Sequence, residues 1–173
     1  MNNLNHLNQL LRTQISDGDL ILFSGNGPVA KIIQWCDSSF YSHIGVAVRH
    51  HDSLFIVDAN ADGVQADRLS KRIASYSKKA DFCILKPLVN REDVDREIKS
   101  LLARSDNKWI RYDFKNGIKE LMNRGFGTKL NVYADESKDI CSDYVSRYAI
   151  RLGLVNEDFS KLKIAFPQDY IKF

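Results

Sequence analysis

Cys141 opens a run, Cys141-Ser142-Asp143-Tyr144-Val145, that sets a thiol at the head of a helix. Val145, Tyr148, Ala149 and Leu152 follow at i+4, i+7, i+8 and i+11, while Ser146 and Arg147 fall off that stripe, which is helical periodicity. A helix's first turn leaves backbone N–H groups unpaired and carries the positive end of the macrodipole, so a thiolate there is favoured over the thiol. The chemistry on offer is nucleophilic attack on a carbonyl through sulfur. The same spacing fits an inert core cysteine, because free cysteine buries readily and Asp139 and Asp143 oppose ionisation. Gly153 is placed to end the helix, with Arg147 and Arg151 near its negative end.

Acyl transfer through a thiol needs a base, a group that orients the base, and donors for the oxyanion. His43 is the candidate base: it opens a β-rich run beside the small Gly45, where an imidazole could face a helix packed across the sheet. A structural histidine fits the same position. His50-His51 fall in a turn and His6 lies near the N-terminus. Asp58 is the candidate orienter, near the end of the strand expected to pair with that of His43; a turn centred near residue 51 brings the two into near-opposition. Asp58 also suits a strand-end cap for the turn at Asn60-Ala61-Asp62-Gly63.

The elements that must position these groups are readable in outline. Leu4, Leu7, Leu10, Leu11 and Ile15 space as a short amphipathic helix. Leu20-Ile21-Leu22-Phe23 is a strand-length apolar run, broken by Ser24-Gly25-Asn26-Gly27-Pro28, and residues 29–35 read as a short helix. Ser42 to Arg49 and Leu54 to Ala59 form the best hairpin, turning at His50-His51-Asp52-Ser53. Val64 to Leu69 suits a further strand, and Phe82 to Lys86 another, stopped by Pro87. Val94, Ile98, Leu101 and Leu102 mark an amphipathic helix over 91–104, and residues 109–122 a second helical region. Asn123 through Lys138 shows no period and reads as a loop arching over a site.

Composition bounds the class. A chain of 173 residues with no Pro/Gly/Ser-rich divider reads as one domain over 1–173. Hydrophobic content of 44% and charged content of 27% are ordinary for a globular protein. A net charge of +3 is too mild and dispersed for nucleic acid, and clusters such as Lys71-Arg72 and Lys78-Lys79 read as solvated surface. Three widely spaced cysteines, Cys36, Cys83 and Cys141, suggest neither a disulfide framework nor a zinc motif, so a reducing compartment fits. No run approaches a membrane span and no signal peptide is visible, so synthesis in a cytoplasm without stable membrane insertion is expected.

Gly18-Asp19-Leu20-Ile21-Leu22-Phe23, Tyr41-Ser42-His43-Ile44-Gly45-Val46, Val57-Asp58-Ala59, Tyr112-Asp113-Phe114, Cys141-Ser142-Asp143-Tyr144-Val145 and Phe166-Pro167-Gln168-Asp169 occur in that order. Together they resemble the circularly permuted NlpC/P60 hydrolases of the YiiX-like, papain-fold group. The histidine-first, cysteine-late order is the permuted one. The resemblance implies an α+β, papain-like fold, an antiparallel sheet or partial barrel packed against helices. It also implies Cys141 as nucleophile, His43 as base and Asp58, where relatives commonly carry glutamate, as third polar group. Tyr112, Asp113 and Ser142 would support the site, with no metal or organic cofactor.

The implied activity is hydrolysis of an amide bond through a thioacyl-enzyme, first in peptidoglycan peptides, with phage or secretion-system delivery to reach the wall. The alternatives are a lipid or protein deacylase or acyltransferase of the same fold, and a binding module that has lost its chemistry.

Overall fold

Leu20, Ile21, Leu22 and Phe23 are all fully buried, so the strand they form must be covered on both faces. In the computed structural model this strand, β1 (Leu20–Phe23), lies inside a five-stranded antiparallel sheet with β2 (His43–His50), β3 (Ser53–Asn60), β4 (Gly63–Arg68) and β5 (Phe82–Leu85). The order is β4-β3-β2-β1-β5. The structure describes residues 11, 13–60, 63–76, 82–87, 89–105, 111–112, 114–131, 138–139, 141–155, 167 and 169–172.

The helices are α1 (Pro28–Cys36), α2 (Leu69–Tyr76), α3 (Arg91–Ser105), α4 (Phe114–Phe126), α5 (Cys141–Arg151) and α6 (Asp169–Lys172). Local chemistry sets several of their ends. Pro28, pre-set in φ and needing no N–H partner, begins α1. Asn90 Oδ1 accepts from the Asp93 N–H at 2.9 Å and caps α3. At the far end of α5, the N–H of Gly153 donates to Ile150 O and that of Leu154 to Ala149 O, the paired bonds of a Schellman stop.

Strand alternation sorts the core into two layers. Leu20, Leu22, Ile44, Val46, Val48, Val57 and Ala59 face α3 and α5, meeting Val94, Ile98 and Leu101 from the first and Tyr144, Val145, Tyr148, Ala149 and Leu152 from the second. Ile21, Phe23, Ala47 and Ile56 face the other way, against Leu69 and Ile73 of α2 and against Leu11 and Ile15. Each fully buried aliphatic side chain contributes about 1.5–3 kcal/mol.

Gly18 ties the first layer together. At φ +86° it occupies the left-handed region, its N–H donates to Ala47 O, and its own carbonyl accepts the Tyr148 hydroxyl at 2.6 Å. Burial first, and then Asp19 and Asp17, hold the Tyr148 phenol far above its ordinary pKa, so it stays a donor.

The expected hairpin is present, with a tighter turn. His50 pairs with Ser53, leaving His51 and Asp52 as the two-residue loop, His51 at positive φ. Residues 123–138 depart from the expected loop, since α4 continues to Phe126. The segment after it folds back: Asn123 Oδ1 accepts from Thr128 Oγ1 and the Leu130 N–H, while Asn123 Nδ2 donates to Leu130 O. Residues 132–137 lie outside the described ones. The chain then forms β7 (Lys138–Asp139), which pairs in parallel with β6 (Arg111–Tyr112) immediately before α5.

Candidate active site

His43 is the first residue of β2, paired with Phe23 at the last register position of β1. Beside it, Ser42 Oγ accepts the Gly25 N–H at 3.0 Å and fastens the loop before α1 to the strand's start. His43 is 6% exposed and Asp58 wholly buried, and His43 Nε2 lies 2.8 Å from Asp58 Oδ2. Carboxylate oxygens only accept, so the proton of this contact sits on Nε2 and the ring's basic nitrogen is Nδ1.

The other carboxylate oxygen is also engaged. Arg72 Nη2 donates to Asp58 Oδ1 at 2.9 Å and reaches Asp67 Oδ2 at 3.0 Å. A buried carboxylate with one oxygen on an imidazole and the other on a guanidinium is fixed in direction. Aromatic rings complete the clamp. Tyr76 stacks on the imidazole with centroids 5.4 Å apart and on Phe23 at 5.1 Å.

Register differs from the near-opposition expected. Val46 pairs with Val57, so continuing the ladder sets His43 opposite Asn60, two residues past Asp58 and on the same face. The contact is therefore diagonal, and Gly45 makes room for it. A Cβ there would stand 2.8 Å from Ile56 Cγ1 and 3.0 Å from Asp58 Cβ. Gly45→Ala is expected to cost about 1–3 kcal/mol by overpacking. Thermal melts should show the cost shrinking in an Ile56→Ala background.

The imidazole does face a helix, and that helix is α2 rather than α5, which carries Cys141. Ile44 and Val46 turn toward α5, so His43 and Asp58 turn to the α2 face with Phe23 and Ile56. The helix met across the sheet is the one bearing Arg72 and Tyr76. Lys71-Arg72 is correspondingly not all solvated surface, for Lys71 is exposed while the Arg72 side chain is only 13% exposed. Periodicity held a signal for it, since Leu69, Arg72, Ile73 and Tyr76 share one helical face.

Cys141 is the first residue of α5, the helix laid on β2 and β3. Its side chain, with those of Ser142 and Tyr112, lies outside the described residues, as does all of Asp113. The backbone does place Tyr112 in register with Asp139, two residues before Cys141. Of the other cysteines, Cys36 is buried between α1 and Gly125, and burial, then Asp37, pushes its thiol pKa up. Cys83 is half-buried in β5.

His43 opens onto a cavity of about 380 Å³ lined by Val29, Ala30, Ile33, Ser42, Asn60 and Tyr76 among others. A larger one of about 480 Å³ lies elsewhere, over Val48, Val57, Ile98 and Leu102. The smaller cavity is the one that His43 lines, whereas the larger also carries the ion-paired Asp17, Arg91 and Asp95 in its wall.

No family model matches the sequence, and no curated protein does. Among solved structures, the crystal structure of metalloprotein YiiX from Escherichia coli O157:H7 is similar at a TM-score of 0.64 and 19% identity, covering 91% of this chain and 92% of that one. The likeness is one of fold: α+β, YiiX-like and papain-like, with an antiparallel sheet packed against helices. Among the described residues, no helix is long and apolar enough to cross a membrane.

Proposed function

We propose that the chain is a cysteine-dependent acyl hydrolase of the permuted NlpC/P60 type, with Cys141 as nucleophile, His43 as base and Asp58 as orienter. The observation that carries this reading is the buried His43–Asp58 pair, braced by Arg72 and opening onto a cavity. The Cys141 thiolate attacks a substrate carbonyl, forming the S–C bond while the oxyanion takes N–H groups of the first turn of α5. The imidazolium proton passes from Nδ1 to the leaving amine or alkoxide as its bond to the acyl carbon breaks. A water then gives its proton to His43 and its hydroxyl to the acyl carbon as the S–C bond breaks, releasing the carboxylic acid and restoring the thiolate and imidazolium. Because His43 and the body of α5 lie on opposite faces, the sulfur would approach the ring around the end of β2.

Two substrate classes follow from the resemblance. A peptidoglycan peptide requires delivery to the wall by a phage or secretion system, whereas an acyl lipid or acylated protein does not. The apolar wall of the cavity, Val29, Ala30 and Ile33, favours the acyl chain.

The YiiX structure bears the name metalloprotein, and the fit of a metal is testable on residues. Among the described ones, no group of three or more His, Cys, Asp or Glu side chains gathers closely enough to hold an ion. The Asp58 oxygens are already taken by an imidazole and a guanidinium, so this pair does not suit a metal and no step is derived through one.

Iodoacetamide tests the reading. At neutral pH, Cys141 should be labelled faster than Cys36, whose raised pKa keeps it a thiol, and faster than half-buried Cys83. Equal rates at all three would remove the enzyme reading and leave a binding module. With selective labelling, Cys141→Ala should abolish turnover. Its substrate would be assigned by whether fatty acid leaves acyl lipids or peptides leave purified peptidoglycan.

A further inference from the structure

The outer faces of α1 and α4 carry large apolar side chains that the fold leaves bare. Val29, Ile32 and Trp35 on α1 and Ile118, Met122 and Phe126 on α4 are each between 39% and 64% exposed. The two rows join where the Phe126 ring meets Trp35 edge-on, with centroids 5.1 Å apart. A continuous apolar ridge of this kind marks an interaction surface, unlike scattered single residues.

The ridge is held rigid from beneath. Arg124 of α4 donates to Asp37, just past the end of α1, at 2.8 Å and to Asp169 of α6 at 3.0 Å. Gly125 admits Cys36 so closely that a Cβ would stand 2.9 Å from its sulfur. The ridge is therefore a property of two locked helices.

The exposed charge beside it is basic, the nearby acids Asp37, Glu120 and Asp169 being paired with Arg124. The charged residues in the sequence of α1 and α4 are Lys31, Lys115, Lys119, Glu120 and Arg124. The single acid among them, Glu120, accepts from Arg124 Nε at 3.3 Å. Lys31, and Lys129 just beyond α4, are exposed, while Lys119 donates to Asn131 O at the flank. An aromatic and aliphatic ridge with lysines at its rim complements a bilayer surface rich in anionic headgroups: the rings enter the interface and the ammonium groups stay at phosphate level.

We propose that the α1–α4 ridge docks this protein on anionic membrane surfaces and feeds the His43 cavity from the bilayer. Val29 belongs to the ridge and, with Ala30 and Ile33, to the cavity wall, so an acyl chain lifted from the interface follows α1 inward. The docking stands on the ridge alone; the fate of the chain rests on the hydrolase reading.

The test is flotation of the full-length protein with phosphatidylcholine vesicles, with and without phosphatidylglycerol. Binding to the anionic vesicles, at least tenfold weaker on neutral ones and reduced by salt, is expected. In a Trp109→Phe background, Trp35 emission should shift to the blue on binding. Trp35→Glu with Phe126→Glu should cut binding at least tenfold while the melting temperature holds, and Lys31→Glu with Lys129→Glu should remove the preference for anionic lipid. The proposal is overturned if the wild-type protein stays at the bottom of the gradient, or if the glutamate variant floats equally well. It is also overturned if the ridge proves to be a contact between two copies, seen as a dimer that Trp35→Glu dissolves. Iodoacetamide labelling of the same samples separates the two claims: selective Cys141 labelling without flotation sinks the docking alone, and flotation with unselective labelling sinks the hydrolase alone.

Discussion

Asp58→Ala is expected to lower the melting temperature by roughly 6–12 °C, the largest stability effect of any single change at the site. Removing one partner of a buried ion pair costs about 3–5 kcal/mol, because the other charge is left without compensation. Arg72 keeps Asp67, which is 23% exposed, so the lower end of that range applies. At about 3 kcal/mol, and about 2–4 °C per kcal/mol for a chain of this size, the quoted fall follows. Asp58→Asn is informative beside it. The amide retains an acceptor for the imidazole N–H but lacks the charge facing Arg72, so part of the loss should remain in calorimetry. Arg72→Lys should not behave as a conservative change, since the shorter ammonium would have to reach Asp58 Oδ1 and Asp67 Oδ2 where a single guanidinium nitrogen, Nη2, now meets both. A melting temperature unmoved by Asp58→Ala would mean that the pair contributes nothing to the fold.

His43→Ala is expected to slow acyl transfer by about 10²–10⁴-fold, the contribution of a positioned acid–base group. The vacated ring space lies beside both Tyr76 and Phe23 and adjoins the 380 Å³ cavity, so added imidazole has a way in. Partial recovery of turnover with exogenous imidazole, saturating as the cavity fills, should accompany the loss. Iodoacetamide labelling of Cys141 should also slow at neutral pH and regain its rate only in more alkaline buffer, because the thiolate loses an imidazolium neighbour. If His43→Ala leaves both turnover and labelling intact, the base lies elsewhere.

Much of this arrangement was legible in the sequence, because the hairpin depends on local signals. Leu54 to Ala59 form a strand-length apolar run after a turn that only two residues close, and His43 and Asp58 sit toward the hairpin's open end. The pairing slipped by two positions from the expected one, since the loop is His51-Asp52. A two-residue slip preserves the face, which is why the contact survives it. The smallness of Gly45 is legible, but its neighbours are not: the space it leaves is taken by Ile56 and Asp58, which only the register reveals. Arg72 was missed because charge was weighed ahead of period, although Leu69, Ile73 and Tyr76 frame it at helical spacing. The α1–α4 ridge was illegible for another reason. Whether an amphipathic face is covered depends on elements distant in sequence, so the exposure of Trp35 and Phe126 shows only once both helices are in place.

The order in which the layers close bears on how the chain is made. Strands through Leu85 leave the ribosome while α5 is still unsynthesised, so Ile44, Val46, Val48, Val57 and Ala59 have only α3 to lean on for that interval. Such a nascent chain would be a client for ribosome-associated chaperones, and translation arrest before Cys141 should leave it prone to aggregate. Cys141 also arrives after both His43 and Asp58, so on the hydrolase reading proposed above a product truncated before it has no nucleophile.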